Sequence, residues 1–216
     1  MIISHKYRYI FIKTNKTAGT SVEIALSKHC GPTDIVTPIS PEDEEMRAAM
    51  HGVGPQNYEF MADGKASPFF NHIGADEIVR RIGEKIWDGY FKFCIERNPF
   101  DRVISHFYWT YKSGERPTMS RYLDSDLILA LKSKGIQLYT RDGKVAVDKV
   151  CRYEKLSEEL EEVRLRLGIP EPLELPRAKS QFRQDKRNYR DILTEGDKRR
   201  IAEIFTEELK LFGYEF

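Results

Sequence analysis

The run Asn15-Lys16-Thr17-Ala18-Gly19-Thr20-Ser21 sets one lysine, three hydroxyl side chains and two small residues between an apolar stretch and an amphipathic one. That composition suits an oxyanion. Ala18 and Gly19 let the backbone approach closely, free N–H groups of a helix start point into the loop, and Lys16 adds a full positive charge. Thr17, Thr20 and Ser21 bring hydroxyl donors. The order differs from a nucleoside triphosphatase loop, which requires GxxxxGK[ST], because the lysine here precedes the glycine. Taken alone, the same letters also fit a polar turn with a helix cap.

A second junction of the same kind is Glu96-Arg97-Asn98-Pro99-Phe100-Asp101-Arg102-Val103-Ile104-Ser105-His106-Phe107-Tyr108. Arg97 leaves an apolar run beside a helix start, and its planar fork matches a phosphate better than a lysine would. Ser105 lies about two turns into the helix, within reach of the same anion. Asp101 and Arg102 read as a helix cap and a surface charge, and Glu96 as an ion-pair partner for Arg97.

Both junctions need strands and helices to position them. Tyr7 to Thr14 reads as a buried strand, and Thr20 to Lys28 as a helix with Val22, Ala25 and Leu26 on one face, ended by Cys30-Gly31-Pro32. Pro32 to Asn71 reads as long loops around one helix near Asp43 to Met50. Gly74 to Ile82 has helical spacing, and Tyr90 to Glu96 is a second central strand. Asn98 is the N-cap and Pro99 the first residue of a helix carrying Phe100, Val103, Ile104, Phe107 and Tyr111. A hairpin is expected around Arg141-Asp142-Gly143, a short strand over Val150 to Tyr153, and a helix from Ser157 to Gly168. Thr194 with Asp197 forms a capping box for a last helix burying Ile201, Ile204, Phe205, Leu209 and Phe212. The pattern predicts one α/β domain over residues 1–216, with a mainly parallel central sheet, helices on both faces in three layers, and ligand at the carboxyl ends of the strands.

Composition narrows the function. Of 216 residues, 40% are hydrophobic and 32% charged, which supports a packed core. Lys and Arg total 35 against 34 Asp and Glu, so a net charge of +1 gives no global attraction to nucleic acid, and anion binding must be local. Cys30, Cys94 and Cys151 form no CxxC pair, which argues against a disulfide framework or a zinc site. No stretch approaches about 18 consecutive apolar residues and no signal-peptide pattern opens the chain, so the expected location is cytoplasmic.

With these residues in hand, the chain resembles the carbohydrate sulfotransferase family that uses 3′-phosphoadenosine 5′-phosphosulfate (PAPS). Lys16 to Ser21 (KTAGTS) is similar to the family's 5′-phosphosulfate loop, which is P-loop-like in placement. Arg97 to Tyr108 (RNPFDRVISHFY) is similar to its 3′-phosphate segment. Asn71-His72-Ile73, Arg152 to Leu156 and Phe212 to Phe216 look like further stations in the right order, with Pro32 to Ser67 unaligned. The resemblance implies that Lys16, Thr17, Ala18, Gly19, Thr20 and Ser21 hold the 5′-phosphosulfate, and that Arg97 and Ser105 hold the 3′-phosphate. The acceptor would be a hydroxyl on a saccharide or glycolipid, reached transiently at a membrane surface where it is lipid-borne, and no metal is required. Asn15 stands where proline is more usual, and Lys13 where histidine is common.

Sulfuryl transfer needs a base for the acceptor proton and a cation for the charge on the bridging oxygen. Lys16 suits the second role. The resemblance puts His72 in the first, with His51, His106 and Glu96 as competitors. Pro176 to Arg200 holds nine Lys or Arg against four Asp or Glu. It reads as a solvated charged loop, as a lid over the nucleotide with Arg183, Lys186 and Arg187 as contacts, or as a surface for a polyanionic acceptor. A nucleotide-dependent kinase-like phosphotransferase and a non-catalytic nucleotide- or glycan-binding module are the two alternative functions.

Overall fold

A computed structural model describes residues 1–62, 64–176 and 185–216. The first half of the chain runs β1 (Ile2–Ser4), β2 (Tyr9–Ile12), α1 (Gly19–Ser27), β3 (Ile35–Val36), α2 (Pro41–Ala49), β4 (Met61–Ala62), β5 (Lys65–Ala66), α3 (Ala75–Ile82) and α4 (Glu84–Gly89). Then come β6 (Phe91–Glu96), α5 (Pro99–Thr110), α6 (Met119–Leu123), α7 (Asp126–Ser133), β7 (Thr140–Arg141), β8 (Lys144–Val145), β9 (Lys149–Arg152) and α8 (Leu156–Leu167). The chain closes with α9 (Tyr189–Ile192), α10 (Glu195–Ile204) and α11 (Thr206–Phe212).

Five strands make the main sheet in the order β3-β1-β2-β6-β9. Its half β2-β6-β9 is parallel, with Phe11 opposite Phe93 and Ile95 opposite Cys151, whereas β1 pairs antiparallel with both β2 and β3. The sheet is therefore mixed. The antiparallel edge comes from Ile2 to Ser4, which turn back through residues 5–8 and place Ile3 opposite Ile10.

Strand side chains alternate between two cores, as the period of two requires. Ile10, Ile12 and Cys94 join Ile73, Ile78, Trp87 and Tyr139 in one cluster. Tyr9, Phe11, Phe93, Ile95 and Cys151 join Val22 and Leu26 of α1 and Leu160 and Val163 of α8 in the other. Burial on both faces explains why YIFI and FKFCIE read as nearly continuous apolar runs. Phe100, Val103, Ile104 and Phe107 of α5 seed a third cluster with Tyr122, Leu131, Ile201 and Phe205.

Several elements depart from the sequence reading. The segment after Pro32 contributes β3 to the sheet and a small hairpin of β4 with β5, and α6 and α7 fill a region the sequence left without helices. The capping box at Thr194 and Asp197 is present, but the last helix breaks at Phe205 into α10 and α11. Leu209 is only partly buried, and Phe212 packs against the first cluster rather than the third.

The break carries Glu208 into the interior. It is fully buried, and neither carboxyl oxygen meets a hydrogen-bond donor from another residue among the described residues. Burial pushes its carboxyl up to about 7, with the Glu96 charge adding to the shift and Arg102 and Lys132 opposing it. An ordinary glutamate titrates near about 4.3, so folding takes up a proton here between the two values. The folded pKa is the raised one, and the site's contribution to stability is full at low pH and declines as pH rises towards about 7. Glu208→Gln removes this titration while keeping the side chain's size. Its thermal midpoint is expected to exceed that of the wild type increasingly from pH 5 to pH 8, and parallel pH profiles in calorimetric melts would refute the assignment.

Candidate functional site

At the carboxyl ends of β2 and β6 lies a cleft of about 570 Å³. Lys16, Ala18, Gly19, Thr20 and Ser21 line it from the first junction, and Arg97 and Ser105 line it from the second. His72 and Lys186 also face it. Residues 81 positions apart thus meet because β2 and β6 are hydrogen-bonded neighbours in the sheet.

The first loop is shaped by its own hydroxyls. Thr14 Oγ1 donates to the Ile95 carbonyl of β6, which pins the end of β2 to its neighbour. Thr17 Oγ1 lies 2.8 Å from Thr14 Oγ1 and 3.2 Å from the Thr14 carbonyl oxygen, to which it donates. Thr17 is fully buried and does not line the cleft, so its hydroxyl closes the loop instead of facing a ligand, contrary to the sequence reading. Lys16 and Ala18 adopt φ of 64° and 62°, a left-handed conformation that costs a non-glycine residue on the order of 1 kcal/mol or more. Such turns gather backbone N–H groups into an anion-binding concavity. Helix α1 starts at once behind it, and no side chain caps its first turn, which leaves the positive end of the helix towards the cleft.

Gly19 is required by what lies behind the loop. A Cβ there would sit 2.7 Å from Lys13 Cγ and 3.3 Å from the Thr14 carbonyl oxygen. Lys13 is itself fixed, its Nζ 2.7 Å from Glu23 on α1, where Arg47 also pairs with Glu23 at 3.1 Å. Burial works to raise the Glu23 carboxyl, but Lys13, the Met1 amine and Arg47 together hold it at about 2.

The second junction is capped as the sequence implies, Asn98 Oδ1 accepting from the Phe100 N–H at 3.0 Å. The ion pairs fall differently. Arg97 donates through Nε and Nη2 to Asp101 at 2.8 and 2.5 Å and through Nη1 to the Lys16 carbonyl at 3.1 Å. Its guanidinium lies 4.0 Å from the centre of the Tyr153 ring. Of the five N–H bonds of an arginine, two remain without a partner among the described residues. Glu96 does not pair with the Arg97 side chain; it accepts the Arg97 backbone N–H, the Tyr139 hydroxyl and Arg102 Nη1. Arg102, expected on the surface, is fully buried, because it donates to the carbonyls of Asn15, Leu131 and Lys134 at 2.9 to 3.0 Å.

Of the candidate bases, His72 alone lines the cleft among the described residues. Its Nδ1 lies 2.7 Å from the Lys13 carbonyl. A carbonyl only accepts, so Nδ1 carries the proton and Nε2 is left as a lone-pair acceptor. Burial pushes the imidazole down to about 4; the Lys13 carbonyl opposes that shift, and the charges of Lys13, the Met1 amine and Lys134 reinforce it. The ring is therefore neutral at physiological pH. His106 is buried with Nδ1 2.6 Å from the Tyr122 hydroxyl, Glu96 is enclosed behind Arg102, and His51 is exposed elsewhere.

Trp109, Lys134 and Tyr153 also line the cleft, though the sequence analysis assigned none of them. Trp109 lay open to it: four residues after Ser105, it shares that residue's helix face, and its ring sits 5.2 Å from Lys16 Nζ. Lys134 follows α7 in a segment with no sequence signal. Of the lid residues, Lys186 lines the cleft, Arg187 pairs with Asp185 at 2.7 Å and does not, and Arg183 lies outside the described residues. No group of three His, Cys, Asp or Glu able to hold a metal occurs among the described residues, and no described helix is long and apolar enough to cross a membrane.

The chain is 34% identical over 101 residues to an uncharacterized protein of Archaeoglobus fulgidus, an alignment spanning 45% of this chain and 84% of the archaeal one. The chain belongs to the same family as that protein. No family model and no solved structure matches.

Gly19→Ala drives a methyl group into Lys13 and is expected to destabilise by about 1–3 kcal/mol, the range for overpacking. Urea denaturation measures this, and an unchanged midpoint would show that the loop and Lys13 yield freely.

Proposed function

We propose that the chain is a sulfotransferase that moves the sulfuryl group of 3′-phosphoadenosine 5′-phosphosulfate onto an acceptor hydroxyl, on a carbohydrate. The observation that carries this reading is the single cleft in which both strand-to-helix junctions meet, with Lys16, Arg97 and Lys186 on its walls and no carboxylate among its described lining residues. Its volume lies within the range of about 300 to 1,000 Å³ typical of small-molecule sites.

The residues present fit a nucleotide with anions at both ends. In this reading the 5′-phosphosulfate lies on the P-loop-like turn, against the uncapped start of α1, Lys16 and the side chains of Thr20 and Ser21. The 3′-phosphate takes the two unclaimed N–H groups of Arg97 together with Ser105. The surrounding architecture is then a three-layer arrangement with the donor at the carboxyl ends of parallel strands. The bound donor supplies the activated S–O bond. His72 Nε2 takes the acceptor's proton as the new O–S bond forms, and Lys16 meets the charge left on the bridging oxygen as the old bond breaks. Lys186 closes over the nucleotide.

Calorimetric titration tests the nucleotide assignment. The expected order is 3′-phosphoadenosine 5′-phosphate well ahead of ATP with magnesium, and the reverse order would favour a kinase-like phosphotransferase. Arg97→Ala is expected to weaken the 3′-phosphorylated nucleotide by about 2 kcal/mol, roughly thirtyfold, and to spare adenosine 5′-phosphosulfate. Equal loss for both nucleotides would remove Arg97 from the 3′-phosphate.

His72→Ala addresses the chemical step. Transfer of labelled sulfate to a saccharide acceptor should fall roughly a hundredfold or more, the contribution of a general base, with nucleotide affinity retained. Donor binding without turnover in the wild type would instead mark a binding module.

A further inference from the structure

Lys134 serves two sides of the cleft. Its backbone carbonyl accepts from the Asn15 N–H at 2.9 Å and from Arg102 at 3.0 Å, so its main chain is locked to the anion loop. Lys134 lines the cleft with His72, its charge acts on that imidazole, and among the described residues no carboxylate pairs with its ammonium. Positions 177–184 contain no Asp or Glu. The other cations are differently placed: Lys13 is matched by Glu23 and Arg97 by Asp101. Lys16, Arg97 and Lys186 are assigned to the donor nucleotide in the reading above.

One further feature sits with Lys134. Trp109 offers a partly exposed aromatic face on the same cleft, suited to the apolar face of a sugar ring. His72 gains a positive charge when it takes a proton, and an unmatched ammonium nearby opposes that step by Coulomb repulsion. An anion seated against Lys134 removes the opposition.

We propose that the acceptor supplies this anion itself: it is a saccharide bearing its own carboxylate, sulfate or phosphate, which docks on Lys134 while its ring packs on Trp109 and the reacting hydroxyl meets His72 Nε2. The fate of that hydroxyl rests on the sulfotransferase reading, whereas the seat for the anion does not. Burial and the Lys134 charge both hold His72 low, and a docked anion shifts it back towards an ordinary histidine.

The test is ligand-detected NMR on the full chain, with and without 3′-phosphoadenosine 5′-phosphate, using methyl glucuronide, glucose 6-sulfate and glucose 6-phosphate against neutral methyl glucoside. At least one anionic sugar is expected to bind about tenfold or more tightly than the neutral one, and the three arms identify which anion is preferred. Lys134→Ala should erase that preference, Lys134→Arg should keep most of it, and both variants should bind the nucleotide as the wild type does. The His72 ring resonances should titrate at higher pH with the preferred sugar bound. Equal binding of charged and neutral sugars, binding of none, a preference that survives Lys134→Ala, or loss of nucleotide affinity in that variant would each overturn the proposal. A preference seen in a protein that fails to bind the nucleotide would sink the sulfotransferase reading and leave the anion seat standing. Tight nucleotide binding with no preference does the opposite.

Discussion

The guanidinium of Arg102 is the tie on which the cleft depends. It is fully buried and gives its donors to Asn15, Leu131 and Lys134 carbonyls and to Glu96. Three segments far apart in sequence, the loop after β2, the end of α7 and the end of β6, are thereby held by one side chain. A cation in such a place is costly to desolvate, and its charge is tolerated because Glu96 lies 3.4 Å away and three carbonyls take three more of its N–H groups. Removing either partner would strand the other in the interior.

Charge is sorted by depth around this tie. The carboxylates Glu23, Glu96 and Asp101 stand one layer behind the cleft, where each clamps a lysine or arginine in a fixed orientation. The surface facing the cleft keeps the cations, the hydroxyls and the start of α1. The acids thus orient the cations without presenting negative charge to a ligand. The left-handed residues Lys16 and Ala18 persist because the loop is over-determined by the Thr14, Thr17 and Arg102 contacts.

Much of this was legible in the letters. β2, α1, β6 and α5 are each marked by apolar period, caps and terminators, and the two junctions followed directly from them. His72 and Lys186 were named from the sequence and line the cleft. The failures share a cause. Thr17 and Arg102 have side chains typical of exposed positions, and only the three-dimensional neighbourhood turns them inward, where backbone carbonyls wait. Lys134 carries no local signal because its importance comes from the packing of α7 against α5. Ile2 to Ser4 are too few to be recognised as a strand, and their pairing with β2 made the sheet mixed.

The parallel pairing of β2 with β6 has a consequence for how such a site can change. Adjacent strands are separated by about 4.8 Å, a distance set by backbone hydrogen bonding. Both turns that line the cleft spring from these two strands, so the gauge between them belongs first to the sheet. Within 113–149, positions other than the Leu131 and Lys134 carbonyls can diversify without altering that gauge. An oversized side chain at Ile95 would instead press outward on α1 and α8, shifting the helix behind the first turn while the strand spacing stays as it is.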